Sequence, residues 1–495
     1  MTPLKIALVA SEATPFAKTG GLADVVSALA RALHRQGHDV RVFLPLYGRM
    51  SGTGFSFTPV EGLQDLELEF PGGKVRYSVR TAPLPNSARE DGEGALQVEF
   101  IDCPELYHRD SFYTDEADEP VRWATLSRAV IEVCQHTAWA PDIVHCNDWH
   151  TGLIPLYLKK WYGWDKLFAG TRSLLSIHNI GYQGTFPASV IEQLGLEEAR
   201  ELFHQEHLEE GYVSFLEMGL LHASWLSTVS RTYAREIQGK EYGMGLQDLL
   251  QARDDHLEGI VNGIDVDEWS PSKNPLLPHP YSAQDLSGKA RMKASLLERM
   301  GLPVPEGRGP MVAGIVSRMT GQKGFELLPD LLPVLLRQDD FRLVVLGSGE
   351  QNHEDYFNWL QETYPDKVAV KIGYDAELSH WIEAGSDLFL MPSRYEPCGL
   401  NQMYSLRYGC VPLVRKTGGL ADTVEAWNGA AGTGTGFVFE EFTSEALFQA
   451  LTQALQTWQD PEAWGKLVQN GMAQDFSWEQ QSAHYVTLYR RILQD

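Results

Sequence analysis

The chain has 495 residues, 43% of them apolar and 22% charged, which is the composition of a globular protein too long for a single core. Its formal net charge of −25 at pH 7 argues against a general role on nucleic acid or anionic membranes, so any anionic substrate must meet locally concentrated positive charge. Five cysteines (Cys103, Cys134, Cys146, Cys398 and Cys410) form no Cys-x-x-Cys pair, which excludes a zinc ribbon and gives no disulfide framework.

The N-terminus enters a strand, "KIALVAS", with no signal-peptide pattern. No later apolar run reaches membrane-spanning length, so a cytoplasmic protein is expected. The strand runs into "KTGGLADVV" (Lys18 to Val26), where Leu22, Val25, Val26, Leu29 and Leu33 keep helical spacing. "DVRVFLP" is the next strand. An insertion of strand-like pieces, "KVRYSVRTAPL" and "ALQVEFID", surrounds the polar loop "PNSAREDGEG". "DIVHCND", "SLLSIHN" and "ASWLSTVS" then alternate with helical patterns. Val266 to Gly309, rich in Pro, Ser and charge, reads as a crossing between domains. Beyond it the same alternation returns with "MVAGIVS", "FRLVVLG", "KVAVKIG", "DLFLMPS", "VPLV" and "GFVF".

Such alternation predicts parallel sheets with helices on both faces. The expected fold is therefore α/β, with two doubly wound Rossmann-like domains facing across a deep cleft. Residues 1–264 form the first domain and 265–477 the second, and the last helix, about 478–495, has two places open to it: back on the first domain or on the second. In such sheets ligands bind beyond the carboxyl ends of the strands.

A near-copy of the first turn, "KTGGLADTV" (Lys416 to Val424), follows strand "VPLV". Paired glycines let backbone approach a ligand, and a helix start attracts an anion. Helix capping with close strand–helix packing is the plainer alternative. In "SRMTGQKG", Arg318 and Lys323 suit a diphosphate, one as a planar fork and the other as a mobile point charge. In "SRYEPCGLNQ", Glu396 is placed to accept hydrogen bonds from sugar or ribose hydroxyls. The amides near Cys398, Gly399 and Leu400 lie at a helix start. Cys398 reads as a wall residue, since no base in the segment activates it as a nucleophile. "HCNDWH" and "IHNIGYQG" offer Asp148, His178 and Asn179 for hydroxyl recognition. His145, Asp148 and His150 share one turn without a second cluster, so no metal site is expected. "GSGEQN" at Gly347 lacks the third glycine of a dinucleotide fingerprint, and "DVD" at Asp265 reads as a turn.

These motifs, in this order, resemble the glycogen and starch synthases of the bacterial and plastid type, which are retaining glucosyltransferases of GT-B architecture. The likeness spans residues 18 to 424. It implies catalytic roles for Glu396, His178, Arg318, Lys323 and Asp148. It also implies contacts with donor or acceptor from Lys18, Gly20, Gly21, Asp24, Asn179, Tyr374, Cys398, Gly399, Leu400 and Asn401, and from Thr417, Gly418 and Gly419 of the second copy. Lys18 and its glycines would place an amide near the distal phosphate, and Tyr374 would lie along the base. Many retaining GT-B enzymes carry Glu-x7-Glu. Here Tyr404 stands at the second position, a loss these synthases share. The implied partners are ADP-glucose or ADP and an α-1,4-glucan, with no metal or other cofactor. A transferase using UDP-glucose, a silent glucan-binding protein and an NAD oxidoreductase are the competing readings, and the last lacks a complete fingerprint.

Overall fold

The computed structural model describes residues 2–52, 54–89, 94–337 and 341–495. The chain divides into two compact units. The first comprises Met1–Val229, Ala234–Gly263 and Trp478–Asp495, and the second Ser230–Tyr233 and Ile264–Ser477.

The N-terminal unit is built on one sheet. Its parallel core runs, in spatial order, Leu257–Gly259, Trp225–Thr228, Arg172–Ile177, Ile143–Asn147, Lys5–Val9, Asp39–Pro45 and Gln97–Asp102. Ile143–Asn147 is buried along its whole length, as a strand covered on both faces must be. The strand order reverses between Lys5–Val9 and Ile143–Asn147, which puts the binding crevice of a doubly wound sheet beyond their carboxyl ends. Gly73–Pro83 extends the sheet antiparallel. "ALQVEFID" was expected in the insertion. Instead Gln97–Asp102 pairs in parallel with Asp39–Pro45 and belongs to the main sheet, and the polar loop before it masks that continuity. Residues 90–93 of that loop lie outside the described residues.

The last helix, Trp478–Ile492, packs on the helix Gly21–Arg35 of this unit. Buried Tyr489 holds it down: its hydroxyl lies 2.8 Å from His145 Nδ1, and His145 Nε2 lies 2.6 Å from Ser176 Oγ. Gln36 Nε2 donates to Ser482 Oγ at 2.7 Å, and Trp225 Nε1 donates to Asp495 at 3.0 Å. His145 is therefore a structural anchor.

The C-terminal unit has six parallel strands in the order Val368–Ile372, Phe341–Gly349, Met311–Met319, Leu388–Met391, Val411–Arg415 and Phe437–Phe439. Numbered along the chain this is 3-2-1-4-5-6, with the reversal between Met311–Met319 and Leu388–Met391. Gly347 and Gly349 are explained by the pairing of the first two of these strands. A Cβ on either would fall 1.9 Å and 2.2 Å from the carbonyl oxygens of Ser317 and Met319.

The stretch read as a crossing contains a full helix, Ser287–Arg299. Met292, Leu296 and Leu297 are buried, and Leu296 lies against Gly385 at the end of Ala376–Gly385. The many charges between those apolar positions conceal the pattern. Ser230–Tyr233 joins this unit as well. Ser230 Oγ donates to the Pro397 carbonyl at 2.7 Å, and Asp422 accepts from the Thr232 amide at 2.9 Å and hydroxyl at 2.6 Å.

Candidate active site

In the C-terminal unit, three strand ends at the order reversal converge. Arg318 ends Met311–Met319 and Lys323 follows it, after Leu388–Met391 comes the turn from Ser393 to Asn401, and after Val411–Arg415 come Thr417, Gly418 and Gly419. Arg318, Lys323, Glu396, Gly399, Leu400 and Asn401 line one cavity of about 180 Å³. Lys323 Nζ lies 2.6 Å from Glu396 Oε2, and the Ser393 hydroxyl donates to the same oxygen at 3.1 Å. The Arg318 guanidinium is exposed at the cavity mouth and makes no ion pair among the described residues. This gives a fixed cation paired to a buried acid, and beside it a cation available to an anion.

The turn around Glu396 is supported from below. Gly399 sits at φ +68°, and Gln402 Nε2 bridges the carbonyls of Cys398 and Gly399 and the Thr423 hydroxyl, each at 3.0 Å. Asn401 Nδ2 donates to the Val316 carbonyl at 2.7 Å and ties this turn to the central strand. Gly418, at φ +45°, presses on the turn so closely that a Cβ would lie 1.9 Å from the Glu396 carbonyl oxygen. The Gly419 amide donates to the carbonyls of Glu396 and Pro397 at 3.1 Å. For the second glycine pair the sequence leaves two readings open, contact with substrate and a purely structural turn. Its geometry supplies a structural reason: it buttresses the acid's turn. Tyr374 lies beyond the end of Val368–Ile372, is 85% exposed and does not line the cavity. Buried Cys398 belongs to the turn without lining that cavity.

The first glycine turn is built differently. Gly20 precedes the helix Gly21–Arg35 with φ −153°, and nothing lies within 4 Å of a Cβ placed there. Neither backbone conformation nor packing demands that glycine, and the space beside it is open. Asp24 accepts from Lys18 Nζ and from the Thr14 hydroxyl, both at 2.8 Å. Glu12, which no sequence motif marks, belongs to the same turn. This buried carboxylate accepts from the Thr19 amide, from the Thr19 hydroxyl at 2.6 Å and from the Gly20 amide at 3.4 Å, and it also meets the Tyr113 hydroxyl. Its signal was its place in "VASE", an acid just past the carboxyl end of the first strand.

In the same unit Asp148 and His178 come together. Asp148 has φ +56° and ψ −175°, a conformation that costs a non-glycine residue about 1–3 kcal/mol and is typical of functional turns. Its Oδ1 accepts from the His178 amide at 2.7 Å, and burial pushes its pKa up to about 7 despite that bond and one from the Asn179 amide. His178 Nε2 lies 2.9 Å from Asn147 Oδ1, whose own Nδ2 donates to the Val9 carbonyl at 3.0 Å, so Nε2 carries the hydrogen. Burial lowers the His178 pKa to about 4 and keeps the ring neutral. Asn179 Oδ1 accepts from the Gly181 amide at 3.0 Å. The three residues once weighed as metal ligands diverge. His145 faces the terminal helix, and His150 stacks on Trp149 at 3.9 Å within an aromatic core.

The profile of starch synthase catalytic domains matches residues 5–252, and that of the group 1 glycosyl transferases matches residues 304–470. Glycogen synthase of Anaeromyxobacter dehalogenans (strain 2CP-1) is 45% identical over 496 residues, covering 99% of each chain. Glycogen synthase of Koribacter versatilis is 44% identical over 502 residues, again covering 99% of each chain. The catalytic domain of starch synthase IV from Arabidopsis thaliana, solved with ADP and acarbose, superposes with a TM-score of 0.89 at 33% identity over 100% of both chains.

Proposed function

Because the chain belongs to the glycogen and starch synthase family of GT-B glucosyltransferases, we propose that it elongates an α-1,4-glucan with glucose from ADP-glucose. The new bond forms at the non-reducing 4-hydroxyl and the anomeric configuration is retained. The observation that carries this reading is the Arg318–Lys323–Glu396 cavity at the strand-order reversal of the C-terminal unit. The ADP in the Arabidopsis structure supports the choice of nucleotide.

Breaking the anomeric bond builds negative charge on the departing diphosphate and positive charge on the sugar ring. Arg318 offers a multi-donor fork to that diphosphate, and Lys323 adds a point charge. Fixed donors of this kind need no rearrangement as charge develops, and removing one typically lowers the rate by roughly 10²–10³. Glu396, neutralised in part by Lys323, accepts hydrogen bonds from the glucose hydroxyls. Within the N-terminal unit, the neutral His178 and its neighbour Asp148, and Lys18 with the open Gly20 turn, are assigned to substrate recognition.

Double displacement requires a free carboxylate against the anomeric carbon. The family resemblance puts His178 near the anomeric carbon, and the acid beside it is Asp148, whose Oδ1 is already bonded to the His178 amide and whose burial raises its pKa to about 7. This supports front-face attack, in which the leaving phosphate oxygen takes the proton from the acceptor hydroxyl. The reaction runs without a metal ion, and the enzyme acts in the cytoplasm. No helix among the described residues is long and apolar enough to cross a membrane. Initial rates with ADP-glucose and UDP-glucose over glycogen test the proposal. ADP-glucose is expected to win by at least tenfold, with Arg318→Ala losing most of the rate. Equal rates, or an unaffected variant, would refute it.

A further inference from the structure

Outside the proposed reaction centre, one group of side chains in the N-terminal unit has the composition of a metal site. His204 stands at the start of the short helix Gln205–Glu209, His207 lies within that helix, and Glu217 is in the first turn of Phe215–His222. One donor atom from each lies within 4.8 Å of the others. His207 Nδ1 is 2.9 Å from Glu217 Oε1 and 3.1 Å from Oε2, and the two imidazole rings are 4.3 Å apart. His204 Nδ1 is buried and has no hydrogen-bond partner among the described residues. Glu217 is 2% exposed, and a buried carboxylate is unfavourable without positive charge beside it.

We propose that His204, His207 and Glu217 bind one divalent transition-metal ion of the zinc class. Two imidazole nitrogens and a carboxylate are a set zinc accepts, with water completing the tetrahedron. Bonds of 2.0–2.1 Å in that geometry place the donors roughly 3.4 Å apart. The observed spacing spans this value, so the rings and the carboxylate need only small shifts. The ion replaces the hydrogen shared by His207 and Glu217 and takes up the idle His204 nitrogen. Both histidines are partly exposed, which gives the ion a way in. Tyr212 stacks on the His207 ring at 4.6 Å and limits its rotation.

The site has a structural consequence inside its own unit. The Phe215 carbonyl begins the helix that carries Glu217, and a Cβ on Gly152 would fall 2.0 Å from that oxygen. Gly152 closes the short turn that follows Asp148. A metal joining the two helices therefore stiffens the wall behind Asp148 without touching substrate.

The test is titration of chelator-stripped, full-length protein with Zn²⁺ by calorimetry, repeated with Co²⁺ and visible absorption. One ion per chain is expected, with a melting temperature raised by roughly 5 °C at saturating metal. His204→Ala and His207→Ala are each expected to weaken binding at least tenfold and to abolish the cobalt absorption bands. His204 is partly exposed, so its variant keeps the test valid even if Glu217→Gln fails to fold. Absence of binding, or binding equally tight in the two histidine variants, overturns the proposal. The second outcome would assign the ion to other histidines. Neither result bears on donor choice, so this site and the proposed reaction stand or fall separately.

Discussion

Lys323 Nζ sits 2.6 Å from Glu396 Oε2, joining the proposed phosphate-binding cation to the proposed sugar-binding acid. The side chains are 17% and 8% exposed, so neither is well hydrated alone. Lys323→Ala leaves a buried carboxylate supported by the Ser393 hydroxyl. It is expected to cut glucosyl transfer by roughly 10²–10³ and to destabilise the fold by about 1–3 kcal/mol, below the value for a fully buried pair. Adding Glu396→Gln removes the orphaned charge. The double variant is expected to regain most of the melting temperature and none of the activity, which thermal melts and initial rates would show.

The two glycine turns predict opposite behaviour. Gly418→Ala collides with the Glu396 carbonyl at a positive φ. It is expected to lower both stability, by about 1–3 kcal/mol, and turnover, by at least tenfold. Gly20→Ala meets open space in extended backbone, so its melting temperature is expected to stay within about 1 °C of the parent. A raised KM for the donor in Gly20→Ala would then report ligand contact alone.

Asp148 gives a pH signature. Its pKa is raised to about 7 in the fold from an ordinary 3.8, so between these values the folded state holds more proton than the unfolded one. Stability from this group is complete below pH 4 and lost as the pH rises towards 7. Asp148→Asn cannot ionise. It is expected to melt higher than the parent at pH 8, by an amount worth up to a few kcal/mol, and to match it near pH 4. Melting curves at the two pH values check this, and the variant's transfer rate is expected to fall.

His178 and His145 act in the other direction. Burial lowers their pKa values to about 4 and about 3, so the unfolded chain takes up protons that the fold refuses. Stability from both is complete above pH 6.5 and declines as the pH falls towards those values. Tyr489→Phe strips His145 Nδ1 of its partner and is expected to cost about 1–3 kcal/mol, with kcat at 25 °C unchanged.

Much of this was legible in the chain because strand ends and paired glycines are local signals. Arg318, Lys323 and Glu396 were expected near one another since each follows a strand of one parallel sheet, and the topology brings those ends together. The roles of Glu12, Gln402 and Asp422 were hidden, because each is defined by a partner distant in sequence or by backbone groups a sequence does not display. Ser230–Tyr233 belongs to the second unit through Pro397 and Asp422, over 160 residues away. The helix Ser287–Arg299 is hard to see in the sequence because charges crowd the positions between its buried Met292, Leu296 and Leu297. The near-identical sequences of the two glycine turns suggest one shared task. Their surroundings differ: Asp24 meets Lys18, whereas Asp422 caps Thr232.

The return of Trp478–Ile492 to the first unit has a consequence for biosynthesis. A nascent chain emerging from the ribosome carries a complete second sheet while His145, Gln36 and Trp225 still await their partners. The unit begun first is the last to be sealed. Loss of Trp478–Asp495 would therefore damage the unit that opens the chain, far in sequence from the change itself.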